Sequence, residues 1–379
     1  MPRRGRIEDR SEDSLDDVAL DTAVPRRAPP RGRGAAGNPD SRFASRVYQP
    51  DPDAFEPEDD VDRRTRFLRD STRSVISRNS SPDIPFDVSL NPYRGCEHGC
   101  AYCYARPTHE YLGFSPGLDF ERMIMVKEDA PKLLERELRK PSWQPKTMLL
   151  SGVTDPYQPI ERRLKLTRSC LEVLRDFRHP VSVITKNHLV TRDIDILAEL
   201  AEYDASHVTL SITTLNEELR RKLEPRTSTG PRRVDAVREL SAAGIPVSVN
   251  IAPVIPGLND QEIPAILEAA AEAGATTAHF ILVRLPGAVE PIFLGWLEAH
   301  YPERKEKVLG RLREARGGKL NESSFGKRMT GEGPYAESIR AMFHVSRKRN
   351  GLSERSFLLS CEHFQAPGSS SQPGLFGGQ

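Results

Sequence analysis

The sequence predicts an α/β chain with a mostly parallel sheet and helices outside it. Three observations lead there. Short apolar, β-branched runs recur at Met148–Leu150, Val181–Thr185, Val208–Ile212, Pro246–Ile251 and His279–Val283. Between them, apolar residues return at helical spacing: Leu164, Leu171 and Leu174; Ile194, Leu197 and Ala201; Val234, Val237 and Leu240; Ile263, Ile266, Leu267 and Ala270. Gly244 and Gly274 follow two of these stretches as helix C-caps. In folds with this rhythm ligands sit at the carboxyl ends of the strands.

Each part follows from its composition. The 379 residues hold 55 Lys+Arg and 54 Asp+Glu, and 37% are hydrophobic, against about 45–50% in an average chain. Residues 1–80 hold 16 Arg, no Lys and 16 acids. Such a segment buries too little apolar surface to offset chain entropy and is expected to be a disordered arm. Residues 81–300 hold 25 basic and 30 acidic residues and form the core. Residues 301–360 are expected to be a basic helical extension, with 14 basic and 7 acidic residues up to Arg355. Residues 361–379 read as a flexible tail.

No apolar run is long enough for a membrane span. Five cysteines do not make a disulfide scaffold, and no apolar stretch follows the first basic residues, so a reducing cytoplasm is the expected location.

The chemistry concentrates after the expected first strand, Phe86–Leu90, in Cys96-Glu97-His98-Gly99-Cys100-Ala101-Tyr102-Cys103. Three thiolates on one tight loop can hold three irons of one cluster or three positions on one ion. Zinc needs a fourth ligand, and neither His98 nor His109 gives a zinc-ribbon spacing. An iron–sulfur cluster used only for electron transfer also takes four protein ligands. Three cysteines leave one iron open to a substrate or cofactor.

This loop, with Tyr102 before its last cysteine and a βα-repeating region behind it, resembles the signature of the radical S-adenosylmethionine (radical SAM) superfamily. The resemblance implies a partial (β/α)6 TIM-like barrel. It implies a [4Fe-4S] cluster on Cys96, Cys100 and Cys103, with its fourth iron chelated by S-adenosyl-L-methionine (SAM). It implies reductive cleavage of SAM to a 5′-deoxyadenosyl radical that takes a hydrogen atom from substrate, with electrons from a reductant such as flavodoxin or ferredoxin.

Site positions carry over one at a time. Tyr102 belongs to the cofactor loop. The family's Gly-Gly-Glu motif is absent after the second strand, where Ser151, Thr154 and Asp155 offer polar groups to the SAM amino group or to an ordinary turn. Lys186 follows a strand and suits the SAM carboxylate, with a solvated surface lysine as the competing reading; Ser211 suits the ribose and the turn holding Ile255 the adenine, while Asn250, inside its strand, either points into the barrel or is structural. Arg284 ends the sixth strand and suits SAM or substrate, with a salt bridge as the competing reading.

Tyr102 and Tyr104 around Cys103, with Thr154-Asp155-Pro156-Tyr157, resemble the spore photoproduct lyase-like branch, which contains a DNA repair lyase. That lyase draws hydrogen from a cysteine near the end of strand two. Gly152 stands there, so Tyr104 or Tyr157 is the substitute donor expected. DNA is the first substrate expected; the alternatives are a small molecule, a protein, or a non-enzymatic iron–sulfur protein that binds DNA or a clamp. Arg311, Arg313, Arg316, Lys319, Lys327, Arg328, Arg347, Lys348 and Arg349 either contact phosphates or form the wet side of a packed helix pair. Gln372, Leu375 and Phe376 resemble a peptide that docks on the bacterial sliding clamp.

Overall fold

The structure, a computed structural model, describes residues 28–43, 64–354 and 357–367. Its ten strands are β1 (Arg66–Arg69), β2 (Ile76–Arg78), β3 (Val88–Leu90), β4 (Tyr93–Arg94), β5 (Met123–Val126), β6 (Met148–Leu150), β7 (Val181–Thr185), β8 (Ser206–Ser211), β9 (Val247–Val254) and β10 (Thr277–Leu282). The main sheet runs β10-β9-β8-β7-β6-β3-β2. Its six strands from β3 to β10 are parallel, and β2 adds an antiparallel edge. This is the partial (β/α)6 barrel expected. A small sheet, β1-β5-β4, stands beside it.

Alternation along the strands makes two faces. Val183 pairs with Val208, and Leu210 with Val249, on the face that packs against the helices Leu166–Asp176, Ile194–Ala201, Gly230–Ala242 and Ile263–Glu272. The other face is polar. Ser182 pairs with His207, Thr209 with Ser248, and Ser211 with Asn250 and then His279. At its lower end His207 takes part in hydrogen bonds with Ser182 (3.2 Å) and Ser248 (2.7 Å), and Ser248 meets the Thr277 hydroxyl. The Phe357 ring lies tilted against His207, with centroids 4.9 Å apart.

Three expectations need correction. Residues 28–43 and 64–80 are not an unpacked arm. Arg33 and Ala35 are buried, β1 pairs in parallel with β5, and β2 pairs with β3. Backbone amides and one arginine are satisfied there by the core, which composition does not register. Next, the beginning of the expected flexible tail is packed. Phe364 lies against Phe177 and His179, and the Gln365 amide donates to the Phe177 carbonyl.

Finally, the basic extension forms the helices Lys305–Glu314 and Pro334–Arg349, and several of its charges turn inward. Arg316 is 3% exposed and donates to the carbonyls of Arg328 (2.8 Å) and Val283 (2.9 Å). Arg347 is buried and pairs with Glu354, and Arg328 pairs with Asp83. Lys348, Arg349, Arg313, Lys319 and Lys327 remain exposed. Gln372, Leu375 and Phe376 lie outside the described residues. No helix among the described residues is long and apolar enough to cross a membrane.

Candidate active site

The cysteine loop leaves the short strand β4 and is held from behind. The Cys96 amide donates to the Phe120 carbonyl at 2.9 Å. Arg106, fully buried, donates through Nε (3.1 Å) and Nη2 (2.8 Å) to the Cys100 carbonyl. The same guanidinium reaches Glu121 at 2.5 Å. Gly99 has φ +67°, and a Cβ there would come within 2.9 Å of the Glu121 carboxylate, so the turn between the first two cysteines needs glycine.

Cys96 and Cys100 are buried, Cys103 is half-buried, and none of the five cysteines is in a disulfide. Burial, reinforced by Glu224, holds the Cys100 thiol well above its ordinary range; burial and Cys96 push Cys103 up to about 11. A metal bound there would deprotonate them. Among the described residues, no three His, Cys, Asp or Glu groups are gathered around a single-ion site. Three thiols on one loop are a donor set that fits a cluster with one iron left open.

The polar groups facing this loop come from the carboxyl ends of the strands. Lys186, just past β7, donates Nζ to the Ala252 carbonyl (2.7 Å) and to Thr213 (3.2 Å), and stands 3.4 Å from Glu224. Glu224 also takes the buried Arg233 guanidinium and the Tyr102 hydroxyl. Burial acts to raise the Glu224 carboxyl, but Arg233 and Lys186 outweigh it and hold the group ionised. Burial and the nearby Cys100 and Glu224 charges keep Tyr102 neutral. Two cations thus face one carboxylate, and positive charge is left over beside the loop. Tyr102 ties the loop to this network and acts as a hydrogen-bond donor.

Asn250, on the polar face of β9, has a buried Oδ1 with no partner. An orphaned acceptor in a barrel lumen fits a bound polar ligand. Ser211 lies beside it in register. Ile255 packs with Cys100 and Tyr102, and its amide donates to Asn259 at 2.6 Å. Ser151 directly follows β6, half-buried, and donates weakly to the Thr154 carbonyl at 3.3 Å.

Three expected site residues do other work. Thr154 turns back to the loop, donating to the Gly95 carbonyl at 2.6 Å. Asp155 is spent on the scaffold: it accepts from Thr185 (2.7 Å), the Lys186 amide (2.8 Å) and the Tyr157 amide (2.9 Å), and it faces His98. Burial acts to raise its carboxyl, but His98 and these donors outweigh it and leave it lowered. Tyr157 cannot be a hydrogen donor to the site. It is fully buried, and its hydroxyl donates at 3.0 Å to Asp193, which Arg168 and Arg192 also bind.

Tyr104, by contrast, is 53% exposed and stands at the mouth, its hydroxyl donating to the Gly152 carbonyl at 2.9 Å. Arg284 lies 5.9 Å from its ring centroid. The Arg284 Nε is buried without a partner among the described residues, and Nη1 donates to the Met329 sulfur at 3.8 Å. Among the described residues no carboxylate lies within salt-bridge distance of it; the nearby Asp83 pairs with Arg328.

A sequence profile of the radical SAM superfamily matches residues 90–270. The chain belongs to the radical SAM superfamily. The superfamily uses a [4Fe-4S] cluster and SAM, and these are the cofactors its membership implies. An uncharacterised protein of Methanocaldococcus jannaschii is 31% identical over 248 residues, which are 65% of this chain and 88% of that one. An uncharacterised protein of Mycobacterium tuberculosis is 39% identical over 222 residues, so this radical SAM chain spans 65% of that relative's length. A protein of Pseudomonas phage M6 named radical SAM Nα-GlyT isomerase is 26% identical over 193 residues, 51% of this chain and 38% of that one. Among solved structures, spore photoproduct lyase complexed with dinucleoside spore photoproduct shares the fold. Its TM-score is 0.53 at 17% identity, covering 76% of this chain and 80% of that one.

Sequence reasoning missed Glu224, Arg233, Thr213, Arg106 and Glu121. Nothing in spacing marks a buried ion pair made between different elements, as Glu224–Arg233 and Arg106–Glu121 are. The charged pair Glu224 and Arg226 around Pro225, directly after an amphipathic helix, is the one local signal.

Proposed function

We propose that the protein is a radical SAM enzyme acting on an anionic substrate, with nucleic acid as the first candidate. The observation that carries the reading is the juxtaposition of three loop thiols with Lys186 and the orphaned Asn250 acceptor at the open ends of the parallel strands. Cys96, Cys100 and Cys103 hold the cluster. Lys186 faces the SAM carboxylate, Ser151 the amino group, Ser211 and Asn250 the ribose and adenine side, and Ile255 walls the pocket. When bound, cluster and SAM together supply one-electron reductive cleavage for hydrogen-atom abstraction. A small electron carrier such as flavodoxin or ferredoxin is the fitting reductant.

The chain's own residues then do ordinary work. Glu224, fixed by Arg233 and Tyr102, orients Lys186 without cancelling its charge. Arg284, with no carboxylate partner among the described residues, takes an oxyanion of the substrate, and the exposed Tyr104 ring beside it offers a stacking face. The dinucleoside in the fold neighbour supports a nucleobase as the group presented. Gly152 lies where the lyase has its hydrogen-donating cysteine, which argues against thymine-dimer repair by the same route. The exposed residues Lys348 and Arg349 are the part of the extension suited to DNA, and Gln372, Leu375 and Phe376 the part suited to a clamp. A radical enzyme on a protein or small molecule is the second reading, favoured if oligonucleotides do not bind.

The test is anaerobic reconstitution with iron and sulfide, followed by reductant and SAM. The wild-type chain is expected to form 5′-deoxyadenosine. Lys186→Ala is expected to weaken SAM binding at least about tenfold, the loss of one charge-assisted contact. No 5′-deoxyadenosine from a chain with an intact, reduced cluster would overturn the enzyme reading.

A further inference from the structure

The segment Arg33–Phe43 has no place in the chemistry above, yet it lies against the back of the cysteine loop. The amides of Gly34 and Ala35 donate to the Glu121 carboxylate at 2.9–3.2 Å. Arg33 donates to the Glu121 carbonyl at 2.7 Å and reaches Thr65 at 3.2 Å. Glu121 is the same carboxylate that fixes Arg106, which in turn holds the Cys100 carbonyl. So the segment and the loop share one buried anchor.

Contact is direct as well. A Cβ on Gly34 would overlap the carbonyl oxygen of Gly99, the residue directly before Cys100. A Cβ on Gly117 would likewise overlap the carbonyl oxygen of Gly37. Farther along, Asn38 exchanges hydrogen bonds with Asp119 (both 2.9 Å), the Ser115 hydroxyl donates to the Pro39 carbonyl (2.6 Å), and Arg42 meets Glu110 at 3.2 Å. The segment therefore touches both chain sections that follow Cys103, Arg106–Leu112 and Leu118–Arg122.

We propose that Arg33–Phe43 is a brace, a positioning element that keeps the cysteine loop in the shape its cluster requires. This inference rests on the cluster reading above. The brace touches no reacting atom. It acts through Glu121 and the Gly99 carbonyl, restricting the loop so that three thiols stay apart and aimed at one side. A loop released from it samples more shapes, and the cluster dissociates faster.

The experiment uses the full chain and Gly34→Val, whose side chain cannot sit against Gly99, with Asp40→Ala, an exposed brace position, as control. Three readouts are taken after anaerobic reconstitution. Trypsin cleavage after the buried Arg33 reports docking. Iron retained against a ferrous chelator reports the loop. Far-UV circular dichroism on heating reports the barrel. Wild type and Asp40→Ala are expected to hold about four irons and resist cleavage. Gly34→Val is expected to be cut, and to lose iron, at least about tenfold faster, with the barrel's melting little changed.

Cleavage without faster iron loss overturns the proposal. So does a collapsed barrel, because the segment would then hold the fold and not the loop. An undocked wild type, cut as fast as the variant, overturns it too. A wild type that is protected from trypsin but takes up no iron breaks the cluster reading, and the brace proposal with it.

Discussion

Two charge-rich segments flank the barrel, and they are held by opposite means. The N-terminal segment, residues 28–43, brings little apolar surface. Its backbone amides and Arg33 converge on Glu121, and glycine at 34 lets two backbones meet. The C-terminal extension brings apolar faces, Val308, Leu309 and Leu312 on one helix and Ile339 and Phe343 on the next. Its arginines are then drawn in behind those faces, Arg316 onto carbonyls and Arg347 onto Glu354. The difference teaches that a segment's charge count does not say which charges meet water. A composition too polar to collapse can still be docked through hydrogen bonds, and a basic segment can spend its charge on its own chain.

The largest expected effect bears on the loop that the first segment backs. Replacing Cys96, Cys100 and Cys103 together by Ala should abolish iron binding completely while the melting temperature of the metal-free protein stays close to wild type. Iron analysis and circular dichroism check both halves.

Glu121→Ala should come next. It leaves Arg106 buried and unpaired and removes the acceptor of two amides, a loss of about 3–5 kcal/mol. Urea unfolding measures it, and a loss below about 1 kcal/mol would show that the shared anchor carries little.

The barrel's polar lower end should answer to pH. Burial, with the neighbouring His279, lowers His207 from 6.5 to about 4. The unfolded chain then binds the extra proton between those values. Stability is therefore fully present above about pH 6.5 and falls as pH drops toward 4, at up to about 1.4 kcal/mol per pH unit. His207→Gln should flatten that part of the profile. An unchanged slope would mean that His207 is already charged in the fold.

In the C-terminal extension, Arg316→Met strands carbonyls inside the protein and should cost about 1–3 kcal/mol. Lys348→Ala and Arg349→Ala should stay within about 0.5 kcal/mol. If Arg316→Met were equally silent, the inward charge would be ornamental and the contrast between the segments would fail.

Much of the fold was legible because strand and helix periods leave marks in composition. Val181–Thr185 is found with the boundaries read from its apolar run, and Ile194–Ala201 follows its helical spacing. The cysteine loop was legible because three thiols in eight residues have few uses. Side-chain direction was not. Tyr104 and Tyr157 both follow strand ends in sequence, yet one faces the mouth and the other is pulled into the core by Asp193 and two arginines. Of the two roles the sequence left open for Asp155 and Thr154, their bonds are those of the turn, since a strand-end turn needs its own hydrogen bonds before it can serve a ligand. The N-terminal brace left no mark, because backbone amides docking on a distant carboxylate have no period and no apolar signature.

The most direct test of the central claim is the electron paramagnetic resonance spectrum of the reconstituted, reduced protein with and without SAM. Three cysteines and an open iron predict one [4Fe-4S] signal per chain whose g-values change when SAM is added, and no signal after Cys100→Ala. A reduced cluster with a spectrum indifferent to SAM would contradict the account.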